Sequence, residues 1–240
     1  MFHRLSLAIS LSLFLGWLLI TIGGGLLQAG GTTSLDELAT SGVVLAIPGA
    51  ALFLLLAVAA LGWIRAVGLT VSHNNRTLLV PSLAVAILVA LSAAAGLPAT
   101  DVLLLLVVNT AFVGISEELA FRGVLLSSLL GRMSVRRAVL ISAVVFGAVH
   151  SFNAILTGEI AQALSQSVIA VGMGIWAGVL RVRTGSLVGP MVLHALWDLA
   201  LFSVLTAATG SALASVTSVL AIVFVIILGI WGYRQLGRTA

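Results

Sequence analysis

Two carboxylates and a guanidinium interrupt residues 114–123, a stretch that is otherwise apolar enough to cross a membrane. They belong to Glu117, Glu118 and Arg122. Each would oppose insertion near the bilayer centre by roughly 2.5 to 3.5 kcal/mol, so we expect them to have a specific role. Glu118 and Arg122 are four residues apart, in the order that favours an ion pair on one helix face. Glu117 points about 100° away from Glu118, so it is predicted to be the carboxylate available for chemistry.

Three further ionisable groups lie inside predicted spans, at His150, His194 and Asp198. His194 and Asp198 are also four apart and share a face. At ~1.5 Å per residue from the predicted cytoplasmic helix ends, Glu118, His150 and His194 lie about 15 to 20 Å deep, near the middle of a ~30 Å core. Three separate helices are therefore predicted to place polar groups at one level.

This set of side chains supports two routes to hydrolysis of a carbonyl bond. Glu117, His150, His194 and Asp198 could ligate Zn²⁺ or another divalent ion and lower the pKa of its bound water towards ~7. Alternatively, Glu117 with His150 deprotonates water directly, while His194 and Asp198 donate to or orient the oxyanion. The chain has no His-Glu-x-x-His zinc helix, no glycine-flanked serine nucleophile and only one intramembrane aspartate. The candidate catalytic residues are Glu117, Glu118, His150, His194 and Asp198.

The composition predicts the elements that must position these groups. The 240 residues are 61% hydrophobic and 8% charged, with a mean hydropathy of +1.27, which indicates an all-α polytopic membrane protein. The chain has no cysteine, which excludes disulfides, thiolate catalysis and cysteine metal ligands. Eight runs are long enough to span. They are residues 5–29, 43–64, 78–96, 102–130, 138–156, 161–180, 185–206 and 212–233.

The charges test this count of eight. With eight spans, ten arginines fall at the termini or in short loops on one side, and four acidic residues fall on the other. The arginines are Arg4, Arg65, Arg76, Arg132, Arg136, Arg137, Arg181, Arg183, Arg234 and Arg238. The acidic residues are Asp36, Glu37, Asp101 and Glu159. Both termini are therefore predicted to be cytoplasmic, and the expected location of the protein is the plasma membrane. The arginines that raise the pI to about 11.4 are interpreted as setting topology and not as binding nucleic acid.

Short connections predict one integral domain with three parts. Residues 1–99 would supply N-terminal transmembrane helices, 100–206 the catalytic core helices and 207–240 a C-terminal transmembrane helix.

Three motifs follow one another on separate predicted helices. They are Glu-Glu-x-x-x-Arg from Glu117, Phe-x-x-x-His from Phe146 to His150, and His-x-x-x-Asp from His194. In this order they resemble the motifs of the CPBP intramembrane protease family. That family includes the type II CAAX prenyl endopeptidases, the Abi proteins of bacteriocin processing and immunity, and proteins similar to lysostaphin resistance protein A. The resemblance covers about residues 100–205.

The resemblance implies an eight-helix fold with a site that opens within the membrane. It also implies that Glu117 and His150 activate water, that His194 and Asp198 stabilise the oxyanion or bind metal, and that Glu118 with Arg122 braces the site.

Asp198 departs from the eukaryotic CAAX enzymes, which carry asparagine at this position. A charged aspartate cannot donate a hydrogen bond to an oxyanion, so Asp198 either stays protonated, orients His194 or ligates a metal. The family is called a metalloprotease family, yet a metal-free glutamate mechanism is argued for some members. The sequence leaves both routes open.

The expected function is an intramembrane endopeptidase that cleaves a membrane-associated protein or peptide, prenylated or not. One alternative is a non-catalytic membrane scaffold or bacteriocin-immunity protein, which predicts that Glu117→Gln leaves the phenotype intact. Another is a proton-coupled transporter that relays protons through Glu117, His150 and His194 and predicts pH-dependent flux. The small size and the lack of an internal repeat count against a transporter.

Overall fold

The computed structural model describes residues 5–71, 75–207 and 211–237, and within these ranges the chain is helical with no β-strand. The α-helices are α1 (Leu7–Ala29), α2 (Leu35–Ser41), α3 (Ala46–Ala60), α4 (Ile64–Val67), α5 (Leu79–Ala95), α6 (Thr100–Glu118), α7 (Leu126–Leu130), α8 (Val135–His150), α9 (Asn153–Thr157), α10 (Ile160–Thr184), α11 (Val188–Thr206) and α12 (Ala212–Leu236). A 3₁₀ turn (Asn75–Leu78) precedes α5, and a π-helical turn (Leu119–Leu125) joins α6 to α7. The predicted all-α polytopic fold is confirmed.

Seven of the eight predicted spans correspond to helices that are long and apolar enough, by length and composition, to cross a membrane. The predicted span 43–64 contains α3, which has 15 residues and is shorter than the ~17 to 25 residues of a typical span. It makes an eighth crossing only if it is counted together with α2, from which it is bent by 82°. The predicted run begins only at residue 43, so it includes α3 but neither α2 nor the bend.

The charged residues divide between the two ends of the helical bundle. The end where α4, α7, α10 and α12 terminate carries Arg65, Arg76, Arg132, Arg136, Arg137, Arg181, Arg183 and Arg234, and we call it the arginine end. The opposite end carries Asp36, Glu37, Asp101 and Glu159, and we call it the acid end. Hydrogen bonds join neighbouring segments at each end. Arg183 donates to the Gln235 carbonyl at the arginine end, and the Thr33 amide donates to the Leu156 carbonyl at the acid end. Arg4 and Arg238 lie outside the described residues.

Arg181 is predicted from the sequence to be a loop residue that sets topology, but the structure places it inside a helix. It lies in the last turn of α10, is 3% exposed, and donates to the carbonyls of Ala66 at 2.9 Å and Val67 at 3.1 Å. These carbonyls belong to the last turn of α4, where no helical partner is available. The next residue, Gly68, has φ +89°, and a Cβ there would lie 2.5 Å from the guanidinium. Arg181 therefore joins α4 to α10 at the arginine end.

Glycines allow the helices that carry the motifs to approach closely. A Cβ on Gly114 of α6 would lie 2.6 Å from the Met191 carbonyl oxygen of α11, and a Cβ on Gly147 of α8 would lie 2.6 Å from the Ser167 carbonyl oxygen of α10. Such distances leave no room for a side chain, so both helix pairs are in backbone contact. Gly229 of α12 also lies close to α10, where a Cβ would be 3.3 Å from the Cα of Gly172. The three-part division at residues 99 and 206 stays a prediction.

Candidate active site

Three helices bring the motif residues together. Glu117 and Glu118 end α6, His150 ends α8, and His194 and Asp198 lie one turn apart in α11. Glu117, His150, His194 and Asp198 line one cavity, while Glu118 lies behind it, 0% exposed. The five candidate catalytic residues therefore lie in one cluster.

Glu118 connects the motif on α6 to the motif on α11. Its Oε1 lies 2.8 Å from Nη1 of Arg122 and 2.8 Å from Nδ1 of His194. Side-chain exposure is at most 3% for all three residues, so both contacts are shielded from water. An ionised carboxylate only accepts hydrogen bonds, so Nδ1 of His194 is the donor. Glu118 thereby fixes the ring and leaves Nε2 facing the cavity.

Nε2 of His194 faces two further carboxylates. Oε2 of Glu117 lies 3.7 Å away and Oδ2 of Asp198 lies 3.4 Å away, and these two side chains are 16% and 20% exposed. Neither distance is a direct hydrogen bond. Oε2 of Glu117 has no hydrogen-bond partner within the part of the chain that the structure describes. A substrate oxygen or a water molecule can therefore enter between the three groups.

His150 is held by its own helix and by an aromatic neighbour. Its Nδ1 lies 2.8 Å from the Phe146 carbonyl, which can only accept, so Nδ1 carries the proton in the neutral ring and Nε2 is the free acceptor. The Phe146 ring makes edge contacts with His150 at 4.6 Å and His194 at 5.9 Å between centroids. The Arg122 guanidinium lies 4.1 Å from the Phe146 centroid, a cation–π contact. Phe146 thus contacts Arg122 and both histidines.

The backbone after Glu118 is not α-helical, which the sequence analysis did not foresee. In the π-helical turn the Leu126 amide donates to the carbonyl of Phe121, five residues earlier, and the Ser142 hydroxyl of α8 donates to the same carbonyl at 3.1 Å. Single π-helical turns often occur at functional sites. The turn begins next to Glu118 and contains Arg122, so it contributes to the spacing of the ion pair.

Two positioning residues also escaped the sequence analysis. Nε1 of Trp17 in α1 donates to Oγ of Ser116 at 2.8 Å, and both side chains are buried. This bond ties α1 to the residue that precedes Glu117. A serine within an apolar span next to the Glu-Glu pair is a signal that could have indicated a hydrogen-bond partner.

The cavity beside the cluster has a volume of about 240 Å³ and mostly apolar walls. Its other polar side chains are Thr21, Asn109, Thr110, Asn153 and Gln166. The amide of Asn109 is bonded to the backbone of Ala39, Gly42 and Val44, and those of Asn153 and Gln166 are bonded to each other at 2.8 Å. The sequence does contain a signal for these walls, since all three amide side chains lie in or beside apolar segments, but the sequence analysis did not use that signal. An apolar cavity with a few convergent polar groups is the usual form of a binding site.

The four candidate metal ligands were tested against this geometry. Their nitrogen and oxygen donors are of the types that zinc accepts. Among the described residues, however, no group of three or more His, Asp or Glu side chains could hold a metal ion. As placed, the residues do not fit a metal, and the metal-assisted route stays a prediction.

The fold and the site define a polytopic α-helical membrane protein with a carboxylate–histidine centre inside the bundle. Residues 99–200 match the family model described as type II CAAX prenyl endopeptidase Rce1-like. The matched part of the chain carries all three motifs, and the predicted resemblance is confirmed. At the level of the family, the match supports an intramembrane endopeptidase of the CAAX type. No curated protein and no solved structure gave a significant match.

Proposed function

We propose that this protein is an intramembrane endopeptidase in which Glu117 acts as the general base on water. The observation that carries the proposal is the position of the Glu117 carboxylate. It lines the cavity, has no hydrogen-bond partner on Oε2, and lies 3.7 Å from Nε2 of an oriented histidine. A candidate base must be within reach of a water and of the reacting carbonyl, and catalytic contacts are often long before substrate binds.

The hydrolytic step can be written with these side chains alone. Glu117 accepts a proton from water as the water oxygen bonds to the scissile carbonyl carbon. The electron pair of the carbonyl moves to its oxygen, and a protonated His194 stabilises the oxyanion through Nε2–H. Glu117 then gives its proton to the leaving nitrogen as the C–N bond breaks, which yields a carboxylic acid and an amine.

Three neighbours support these roles. Asp198 lies 3.4 Å from Nε2 of His194, so an ionised Asp198 favours the protonated ring and orients it. Glu118 accepts from Nδ1 and is itself paired with Arg122. His150 offers its free Nε2 to the same cavity and accepts a hydrogen bond from the attacking water. The substrate is a protein or peptide that is anchored in the membrane.

The proposal is tested by comparing the termini of membrane proteins and peptides in cells that carry wild type, Glu117→Gln or no protein. Glu159→Gln is the matched control, because Glu159 is exposed at the acid end and does not line the cavity. We expect new termini with wild type and with Glu159→Gln only. Identical termini in all cells, at equal expression and under conditions where the gene has a phenotype, would favour the scaffold or immunity alternative.

A further inference from the structure

A short non-helical segment, residues 42–45, joins α2 to α3 beside the cavity. The two helices are bent by 82° at this segment, so the backbone N–H and C=O groups around it lack regular helical partners. Amide side chains from two other helices bind these groups instead. Irregular backbone away from water needs such partners, and here they come from distant parts of the chain. The bend between α2 and α3 is therefore held in one arrangement.

Asn109 of α6 makes three of these hydrogen bonds. Its Oδ1 accepts from the Val44 amide at 3.0 Å, and its Nδ2 donates to the carbonyls of Ala39 at 2.8 Å and Gly42 at 2.9 Å. The Asn109 side chain is buried, and both N–H groups of its amide are used by the backbone. Asn109 therefore has no donor left for a substrate, and its role is to position the segment.

Gln28 of α1 holds the same segment from another helix. Its Nε2 donates to the Val43 carbonyl at 2.8 Å, and its Oε1 accepts from the Leu45 amide at 2.9 Å. The segment is thus fixed to α1 and to α6, the helix that ends with the Glu-Glu pair.

Five apolar side chains from α2, α3 and this segment line the cavity, and we call them the α2–α3 wall. They are Leu35, Leu38, Ala39, Val44 and Ile47. Ala39 and Val44 are also bonded to Asn109 through their backbones, so the same residues form the wall and receive its support.

The wall lies at a definite distance from the motif residues. Asn109, Val113 and Glu117 line the cavity at intervals of four residues, so the cavity follows one face of α6 for about two turns. At ~1.5 Å per residue, Asn109 is about 12 Å from Glu117 along the helix. An extended peptide advances about 3.3 Å per residue. With its scissile carbonyl beside Glu117, it places a side chain three to four residues away at the α2–α3 wall.

We propose that the α2–α3 wall determines which substrates are accepted, and that Asn109 and Gln28 are the positioning residues that hold it. The wall takes an apolar substrate side chain that lies three to four residues from the scissile bond. This inference rests on the proposed function, since it concerns how the substrate of Glu117 is selected.

Changing the size of the wall tests its role in selection. Leu38→Ala enlarges the wall and Ala39→Val narrows it, and new termini are compared between cells that carry wild type, each variant or no protein. A methylene in an apolar pocket changes discrimination by about tenfold or more. Ala39→Val should therefore deplete the largest apolar side chains three to four residues from the cleaved bond about tenfold, and Leu38→Ala should enrich them. Leu52→Ala should match wild type, because Leu52 of α3 is exposed and does not line the cavity.

Asn109→Leu tests the positioning role in purified protein, with the peptide that the terminus comparison identifies. The change removes three hydrogen bonds but keeps a side chain of similar size. If the freed wall keeps its arrangement about one-tenth of the time, the apparent affinity falls about tenfold. KM should therefore rise about tenfold while kcat stays within about threefold, because Glu117 and His194 are unchanged. Gln28→Met, at an exposed position, should raise KM in the same direction.

Ser92→Ala is the matched structural control. It removes another buried hydrogen bond, from Ser92 to the Ala200 carbonyl at 2.9 Å, and neither residue lines the cavity, so KM should match wild type. Three results would overturn the proposal and leave the proposed function standing. They are unchanged side chains beside the termini in both wall variants, a wild-type KM in a folded Asn109→Leu protein, or an equal rise of KM in Ser92→Ala. An absence of new termini with wild type would overturn the proposed function and this inference with it.

Discussion

Removing the carboxylate of Glu118 tests whether this one group both neutralises Arg122 and orients His194. Both contacts of Oε1 are 2.8 Å long, and Glu118 and Arg122 are 0% and 1% exposed. Glu118→Met therefore leaves a buried guanidinium without its counter-charge, which costs about 3 to 5 kcal/mol of unfolding free energy. At about 2 to 4 °C per kcal/mol for a chain of this size, the melting temperature should fall on the order of 10 °C.

The double variant Glu118→Met/Arg122→Met separates stability from activity. It removes both charges and replaces them with apolar side chains of similar length, so most of the lost stability should return. Nδ1 of His194 still lacks its acceptor, so its Nε2 is no longer fixed towards the cavity. A displacement of about 1 Å at a catalytic group can cost on the order of 100-fold in rate, and we expect a loss of that size to persist.

The assay combines thermal unfolding in detergent with cleavage of the peptide that the terminus comparison identifies. Arg122→Met alone completes the double-mutant cycle and measures the coupling energy of the pair. Recovery of both stability and cleavage in the double variant would refute the orienting role of Glu118. If Glu118→Met alone lowers the unfolding free energy by less than about 1 kcal/mol, which is the value of an exposed ion pair, the buried ion pair itself would be refuted.

Three further predictions follow from the packing and from the donor geometry. Gly114→Ala should push α6 away from α11, because its Cβ would lie 2.6 Å from a carbonyl oxygen of α11; thermal unfolding should detect a loss of about 1 to 3 kcal/mol. The matched control Gly23→Ala meets nothing within 4 Å and should be neutral or stabilising, so equal losses in both variants would contradict the close approach. Ser116→Ala leaves the buried indole N–H of Trp17 without an acceptor and should cost about 1 to 3 kcal/mol in the same measurement; no change would mean that this bond does not hold α1. A zinc chelator should leave the cleavage rate unchanged, and a loss that added Zn²⁺ restores would show that the four donors rearrange around a metal.

The level at which the motifs meet followed from the sequence, because helix rise and spacing are nearly fixed. Glu118, His150 and His194 were placed at one depth by counting residues, and the first and third are in direct contact. The division of charges between the two ends also followed, since alternate loops of a helical bundle face the same side.

Local backbone irregularities could not be predicted in this way. In the π-helical turn after Glu118, the Phe121 carbonyl accepts a hydrogen bond from the Ser142 hydroxyl of another helix, and no residue within the turn predicts this contact. The burial of Arg181 depends on unpaired carbonyls of α4, 114 residues away in the case of Val67. The position of the cavity depends on which neighbouring side chains fill the space between the helices, a property of packing that helical periodicity does not encode.

The central claim is that Glu117 is the base of a hydrolase, and single-turnover cleavage by purified protein in liposomes tests it most directly. Wild type, Glu117→Gln and Glu159→Gln would be compared on the identified substrate, with folding checked by thermal unfolding. Because a positioned general base contributes typically 10² to 10⁴ in rate, Glu117→Gln should slow cleavage by about that factor while Glu159→Gln matches wild type. A Glu117→Gln protein that is folded and cleaves within about threefold of wild type would contradict the mechanism.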